Sequence, residues 1–119
     1  MKYLCLVYLE EEKLRVVPDR ECQACDDDLR KGGILVAAEA LQPVATATTL
    51  RVRNGRAAVT DGPFAETKEQ LLGFYVVDCA TQEEALEAAR QIGTACTSRA
   101  LEVRPISWYQ LSDSIVHVQ

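Results

Sequence analysis

The chain has 119 residues, 48% of them hydrophobic and 26% charged, with a formal net charge of −5. That length fits one domain, which buries roughly two-thirds of the surface its unfolded chain exposes, and the composition excludes a disordered or membrane-embedded polypeptide. The negative balance repels phosphate backbones and anionic bilayers, so neither nucleic acid nor a membrane is an expected partner.

Taken in order, Lys2 to Leu9 reads as a buried strand, because nearly every position is apolar and aromatic or β-branched residues are present. Its apolar run of seven residues stops at Glu10-Glu11-Glu12, too short for a signal peptide or a bilayer span, and a cytoplasmic location is expected by default. Pro18-Asp19 then offers a helix start. Cys22, Cys25 or Asp26, and Leu29 follow at helical spacing until Gly32-Gly33 ends the helix, with Asp26-Asp27-Asp28 as its wet face. Ile34 to Ala38 begins a second strand that carries Glu39, and Pro43 limits its pairing.

Thr46 to Arg53 alternates, Asn54-Gly55 supplies the positive φ angles of a type I′ turn, and Arg56 to Thr60 returns as a hairpin partner. Arg51, Arg53 and Arg56 flank that turn as a solvated rim. Leu71 to Asp78 is another apolar strand. Thr81 with Glu84 three residues on forms a capping box that opens a second helix, with Ala85, Leu86, Ala88, Ala89 and Ile92 as its buried stripe and Gly93 as its exit. Leu101 to Ile106 is the last core strand, which sets a domain over residues 1–106. Residues 107–119 form a tail, apolar at Trp108, Tyr109, Leu111, Ile115 and Val116, that is expected to dock on the domain or on a partner copy.

This order is a split β-α-β-β-α-β arrangement with an inserted hairpin, an α+β class. Each helix has a single apolar stripe, so both must cover one face of an antiparallel sheet. The other face is then bare and apolar, and a two-fold homodimer that packs two such faces together is the economical arrangement.

The cysteines are Cys5, Cys22, Cys25, Cys79 and Cys96, an odd count that argues for reduced thiols. Cys22-Gln23-Ala24-Cys25 has the spacing of a redox or metal half-site. No second such pair exists, however, and the only histidine, His117, lies near the other end. No metal centre is expected, and two helix cysteines three apart is the plainer reading.

The densest cluster of chemistry is the loop Asp61-Gly62-Pro63-Phe64-Ala65-Glu66-Thr67-Lys68-Glu69-Gln70, held between two strand-like runs. With Gly73-Phe74-Tyr75 downstream and Gly33 to Pro43, Ala45 to Thr49 and Glu102 to Ile106 around it, this stretch resembles the bacterial DGPF proteins, a branch of the YCII-related family. The resemblance implies a ferredoxin-like fold that pairs into a dimeric α/β barrel. It also implies a catalytic histidine on the first helix paired with an aspartate, but the position aligned with that histidine holds Cys22, whose only local cation is Arg20. A regulatory role is implied as well, because relatives are often encoded beside sigma factors.

In that architecture Glu39 and Asp61 are the candidate proton acceptors. Phe64, Glu66, Lys68, Tyr75 and Arg104 are the candidate ligand-binding residues. Each has a structural alternative: Glu39 as one half of a salt bridge, Asp61 as a turn cap, Phe64 as a plug in the core or dimer seam, and Arg104 as a partner of Glu102. No glycine-rich phosphate cradle, nucleophile triad or cofactor motif is present, so no cofactor is expected. The first reading is a small-molecule-binding or regulatory dimer with an unidentified ligand and a sigma factor as candidate partner. The second is a lyase- or isomerase-like enzyme working through a carboxylate, and the third treats the loop charges as dimer contacts only.

Overall fold

The computed structural model describes residues 1–10, 19–95, 99–111 and 114–117, with side chains described for 1–10, 24–94 and 99–108. Pro18 as a helix start, the side chains of Arg20, Cys22 and His117, residue Cys96, and the apolar tail side chains beyond Trp108 lie outside the described residues.

The architecture is α+β, with two α-helices and antiparallel sheets among the described residues. In chain order the elements are β1 (Lys2–Leu9), α1 (Asp19–Lys31), β2 (Leu35–Ala40), β3 (Thr48–Arg53), β4 (Arg56–Asp61), β5 (Gln70–Asp78), α2 (Gln82–Ala95), β6 (Ala100–Pro105), β7 (Trp108–Leu111) and β8 (Ser114–His117), with a 3₁₀ turn at Val44–Thr46. The main sheet has four strands in the order β2-β5-β1-β6, all antiparallel, which is compatible with a ferredoxin-like fold. The β3–β4 hairpin and the β7–β8 tail form separate two-stranded sheets.

Alternation sets the two faces of the main sheet. Along β1, Tyr3, Cys5, Val7 and Leu9 are buried, while Leu4, Leu6 and Tyr8 between them are half-buried. The buried row packs with Val77, with Leu29 of α1 and with Ala85, Ala88, Ala89 and Ile92 of α2, so both helices lie on this face. Leu101 and Val103 of β6 also pack against this core. Fully burying a side chain such as Ile92 or Val7 contributes about 1.5–3 kcal/mol. On the other face Leu6 is flanked by Phe74 and Glu102, and Leu4 by Val76 and Arg104.

Helix ends follow the chemistry of their residues. Gly33, at φ 73°, ends α1 in a Schellman motif: its N–H donates to the Arg30 carbonyl, and the Ile34 N–H donates to that of Leu29. Ile34 then packs beside Leu29 in the core. At α2, the Glu84 N–H donates to Thr81 Oγ1 at 3.2 Å. The Glu84 carboxylate accepts from the Ala80 N–H at 2.9 Å, one residue earlier than in the ideal box.

Gly93 is not the exit of α2, which runs on to Ala95. A Cβ on Gly93 would stand 3.1 Å from Leu101 Cδ1, so the residue serves close packing of α2 on β6. Asn54 and Gly55 adopt φ 52° and 75°, the type I′ turn that closes β3 on β4.

Candidate functional site

The loop between β4 and β5 starts from a clamp on Gly62. This residue has φ 109°, its N–H donates to the Ala47 carbonyl at 2.8 Å, and its own carbonyl accepts from Thr49 Oγ1 at 2.8 Å. Pro63 then turns the chain toward the segment after β2. That segment is itself shaped by Pro43, whose carbonyl accepts both the N–H (2.9 Å) and the hydroxyl (2.7 Å) of Thr46. Leu41 is held to β5 by a 2.7 Å hydrogen bond from its N–H to the Leu72 carbonyl.

Between these two segments lies a chamber of about 600 Å³. Its walls are largely apolar, from Leu41, Pro43, Val44, Pro63, Phe64 and Leu71, with Gln42, Thr46, Thr67 and Gln70 as polar groups. Tyr8, which pairs with Leu71 and continues the Leu4–Leu6 row, ties the chamber to the helix-free face. Gln70 Oε1 is buried and has no hydrogen-bond partner among the described residues, an unusual state for an amide oxygen.

A second, more polar cleft of about 270 Å³ lies on the helix side of the same strands. Its floor is small, from Ala38, Ala40 and Gly73, and Asp26, Tyr75 and Arg99 supply its chemistry. The Tyr75 hydroxyl donates to Asp26 Oδ1 at 2.7 Å. Burial, and then that hydrogen bond, push the tyrosine well above its ordinary value, so it stays a neutral donor. Burial followed by the Asp26 and Asp28 carboxylates also raises the Cys25 thiol, the opposite of the lowered value a reactive Cys-X-X-Cys thiol shows.

The residues singled out from sequence therefore divide among several places. Phe64 lines the chamber, 74% exposed at its lip, with the Arg51 guanidinium over its ring. Glu66 and Lys68 sit on a shallow outer groove of the loop with Gly62 and Ala45. Lys68 Nζ, exposed, reaches the half-buried Glu10 Oε1 at 3.4 Å and ties the loop to the end of β1. Asp61 ends β4 opposite Thr48, and among the described residues its carboxylate takes no hydrogen bond.

Tyr75 belongs to the cleft. Glu39 borders that cleft along β2, but its register with Phe74 sets its side chain on the helix-free face. Arg104 is on that face too, on the opposite edge strand, with its Nε 3.8 Å from Glu102 Oε2. Glu39 and Arg104 are separated by three strand spacings, about 14 Å. One copy does not bring these two together.

Sequence reasoning missed Asp26, Arg99 and the Leu41–Val44 wall. Asp26 carried a usable signal, since it lies one residue from Cys25 on the stripe that ends in Leu29. The Leu41-Gln42-Pro43-Val44 run carried another, being unusually apolar for a connection. Among the described residues no three of His, Cys, Asp or Glu converge in a way that could hold a metal ion, and no helix is long and apolar enough to cross a membrane.

The model of the YCII-related domain matches residues 1–108, which include every residue of the chamber and the cleft. An uncharacterized protein of Rhizobium meliloti (strain 1021) is 45% identical over 102 residues, covering 85% of this chain and 81% of its own. A match over nearly the whole chain, together with that relative, places the protein in the YCII-related family.

Proposed function

We propose that this chain is a small-molecule-binding or regulatory protein that works as a homodimer in the cytoplasm and takes its ligand into the chamber under the Asp61–Gln70 loop. The single observation that carries this reading is the chamber, about 600 Å³ and mostly apolar with a few polar groups, formed where the family motif folds over Leu41–Ala47. That size and lining suit a compact organic molecule with an apolar body. Gln70, in the wall, adds an acceptor oxygen that has no partner among the described residues. The unpaired thiols of Cys5, Cys25 and Cys79 suit a reducing compartment. Titration with the fluorophore 8-anilinonaphthalene-1-sulfonate tests the reading: the native chain should bind it saturably, and Ala47→Trp, which fills the chamber, should abolish binding with an unchanged far-UV spectrum. Equal binding by both would refute it. The sigma-factor partnership rests on family resemblance, and a pull-down that recovers no sigma factor would count against it.

A second reading, an enzyme of the lyase or isomerase type, is favoured by the Asp26–Tyr75 pair in the cleft. There the Asp26 carboxylate, oriented by the Tyr75 hydroxyl that donates to its Oδ1, would accept a proton from a carbon acid through its other oxygen and return it to the carbanion. Solvent deuterium appearing next to the carbonyl of simple 2-oxo acids, and lost in Asp26→Asn, would support it. Exchange unaffected by that substitution would count against it.

A further inference from the structure

The chamber beneath the motif loop is lined without charge. Among the described residues no Asp, Glu, Lys, Arg or His side chain borders it, and the loop's own Glu66 and Lys68 lie on the outer groove instead. A charged group drawn inside would lose its water and find nothing to pair with, which is strongly unfavourable. Flat surfaces make up much of the wall: the aromatic rings of Tyr8 and Phe64 and the pyrrolidine rings of Pro43 and Pro63.

The threonines of the wall and Gln70 offer a ligand acceptors. The Thr46 hydroxyl donates to the Pro43 carbonyl at 2.7 Å, and the Thr67 hydroxyl donates to the Glu69 carbonyl. Each proton is held within the wall, so what these two oxygens can still give a ligand is their lone pairs. Gln70 Oε1 is a third acceptor, buried and with no partner among the described residues. An unmet buried oxygen costs free energy, so a ligand that brings it a donor gains more than one that does not.

We propose that the chamber takes a flat molecule whose inner end is an uncharged hydrogen-bond donor, a phenolic hydroxyl or an indole-type N–H, and that this donor meets Gln70 Oε1. The ring body then lies among Leu71, Pro43, Pro63 and Phe64. An anionic group on the same ligand stays at the mouth, where Phe64 is exposed and carries the Arg51 guanidinium over its ring. The sulfonate of 8-anilinonaphthalene-1-sulfonate is accommodated there, outside the uncharged interior.

This inference rests on the chamber reading of the proposed function and adds the chemistry of the ligand. Calorimetric titration of the full chain at neutral pH with 2-naphthol, 2-methoxynaphthalene and 2-naphthoate tests it, in the native and Gln70→Met forms. The native chain should bind 2-naphthol about tenfold more tightly than 2-methoxynaphthalene, which keeps the rings and lacks the donor. It should bind 2-naphthoate no better than that ether. Gln70→Met should bring 2-naphthol down to the level of the ether and leave the ether's affinity unchanged. In the native chain, whatever the folding of the variant, the Gln70 side-chain carbonyl carbon should shift downfield with 2-naphthol and not with the ether. Equal binding of 2-naphthol and the ether, both lost in Ala47→Trp, overturns the donor pairing and leaves the chamber standing. A selectivity that survives Gln70→Met, a carbonyl shift equal with both, or 2-naphthoate bound more tightly than 2-naphthol also overturns it. No saturable binding of any of the three, or binding unchanged in Ala47→Trp, overturns the pairing and the chamber together.

Discussion

Arg51 lies over the ring of Phe64, its guanidinium carbon 4.9 Å from the ring centroid, and so joins the β3–β4 hairpin to the lip of the chamber. The two residues come from different segments, one in β3 and one in the motif loop, and both are exposed. A contact of this kind is worth about 0.5–1 kcal/mol at an exposed site. A double-mutant cycle of Arg51→Ala and Phe64→Ala, followed by urea unfolding, should return a coupling of that size. A coupling of zero would mean that the stack does not hold the loop.

Gly73 and Gly93 make a matched pair for backbone crowding. A Cβ on Gly73 would stand 2.5 Å from the Glu39 carbonyl oxygen and 3.2 Å from Ala40 Cα, both backbone atoms that cannot turn aside. A Cβ on Gly93 is crowded by the movable Leu101 Cδ1 at 3.1 Å, with the Arg99 carbonyl oxygen at an ordinary contact distance of 3.6 Å. Gly73→Ala should therefore lower stability by about 2 kcal/mol or more, whereas Gly93→Ala, which gains helix propensity, should change it by about 1 kcal/mol or less. Chemical denaturation midpoints of the two variants decide the point.

Those glycines mark where sequence and structure part. The sheet, both helices, the Asn54-Gly55 turn and the capping box were legible because local chemistry dictates them: alternation in Lys2–Leu9, positive φ at Asn54, a Thr81 hydroxyl facing the Glu84 amide. Gly93 misled because its reason is a neighbour eight residues on, and such packing leaves no local trace. Glu39, Asp61, Glu66, Lys68, Tyr75 and Arg104, expected around one pocket, do not meet in one copy: Tyr75 and the backbone of Glu39 border the cleft, Glu66 and Lys68 line the outer groove, and Asp61 and Arg104 line neither, because strand parity sends Tyr75 to the helix side and the Glu39 side chain to the other. Parity was readable along each strand, but the order β2-β5-β1-β6, which sets Glu39 and Arg104 on opposite edges, depends on long-range pairing.

At alkaline pH the buried acids should cost the protein stability. The folded state holds the Tyr75 proton above the ordinary value of 10.0, through burial first and the Asp26 hydrogen bond second. Burial, with Cys79 adding, likewise pushes Cys5 from 9.0 to about 11. In this window the folded chain keeps protons that the unfolded chain releases, so stability is fully present below pH 9 and falls as pH rises. Melting temperatures followed upward from pH 9 should fall less steeply in Tyr75→Phe than in the native chain. Parallel curves would contradict the burial of that hydroxyl.

On the acid side the sign reverses. Asp78 accepts a hydrogen bond from the Met1 ammonium at 3.2 Å, and that bond, assisted by the ammonium charge and Lys2, lowers its carboxyl below 3.8. Its contribution is present above the ordinary carboxylate range and is lost as pH falls through the lowered value. Asp78→Asn should flatten the acid limb of the stability curve, read by thermal melts, and acetylation of the amino terminus should do the same. An acid limb untouched by either would mean that the pair is not formed in solution.

The proposed function centres on the chamber beneath the motif loop, and amide chemical-shift mapping during titration with 8-anilinonaphthalene-1-sulfonate tests ligand entry there most directly. Shifts concentrated at Leu41, Thr46, Ala47, Thr67, Gln70 and Leu71 are the predicted result. Shifts confined to Ala38, Gly73 and Tyr75 around the cleft, or spread over the β3–β4 hairpin with the chamber silent, would contradict it.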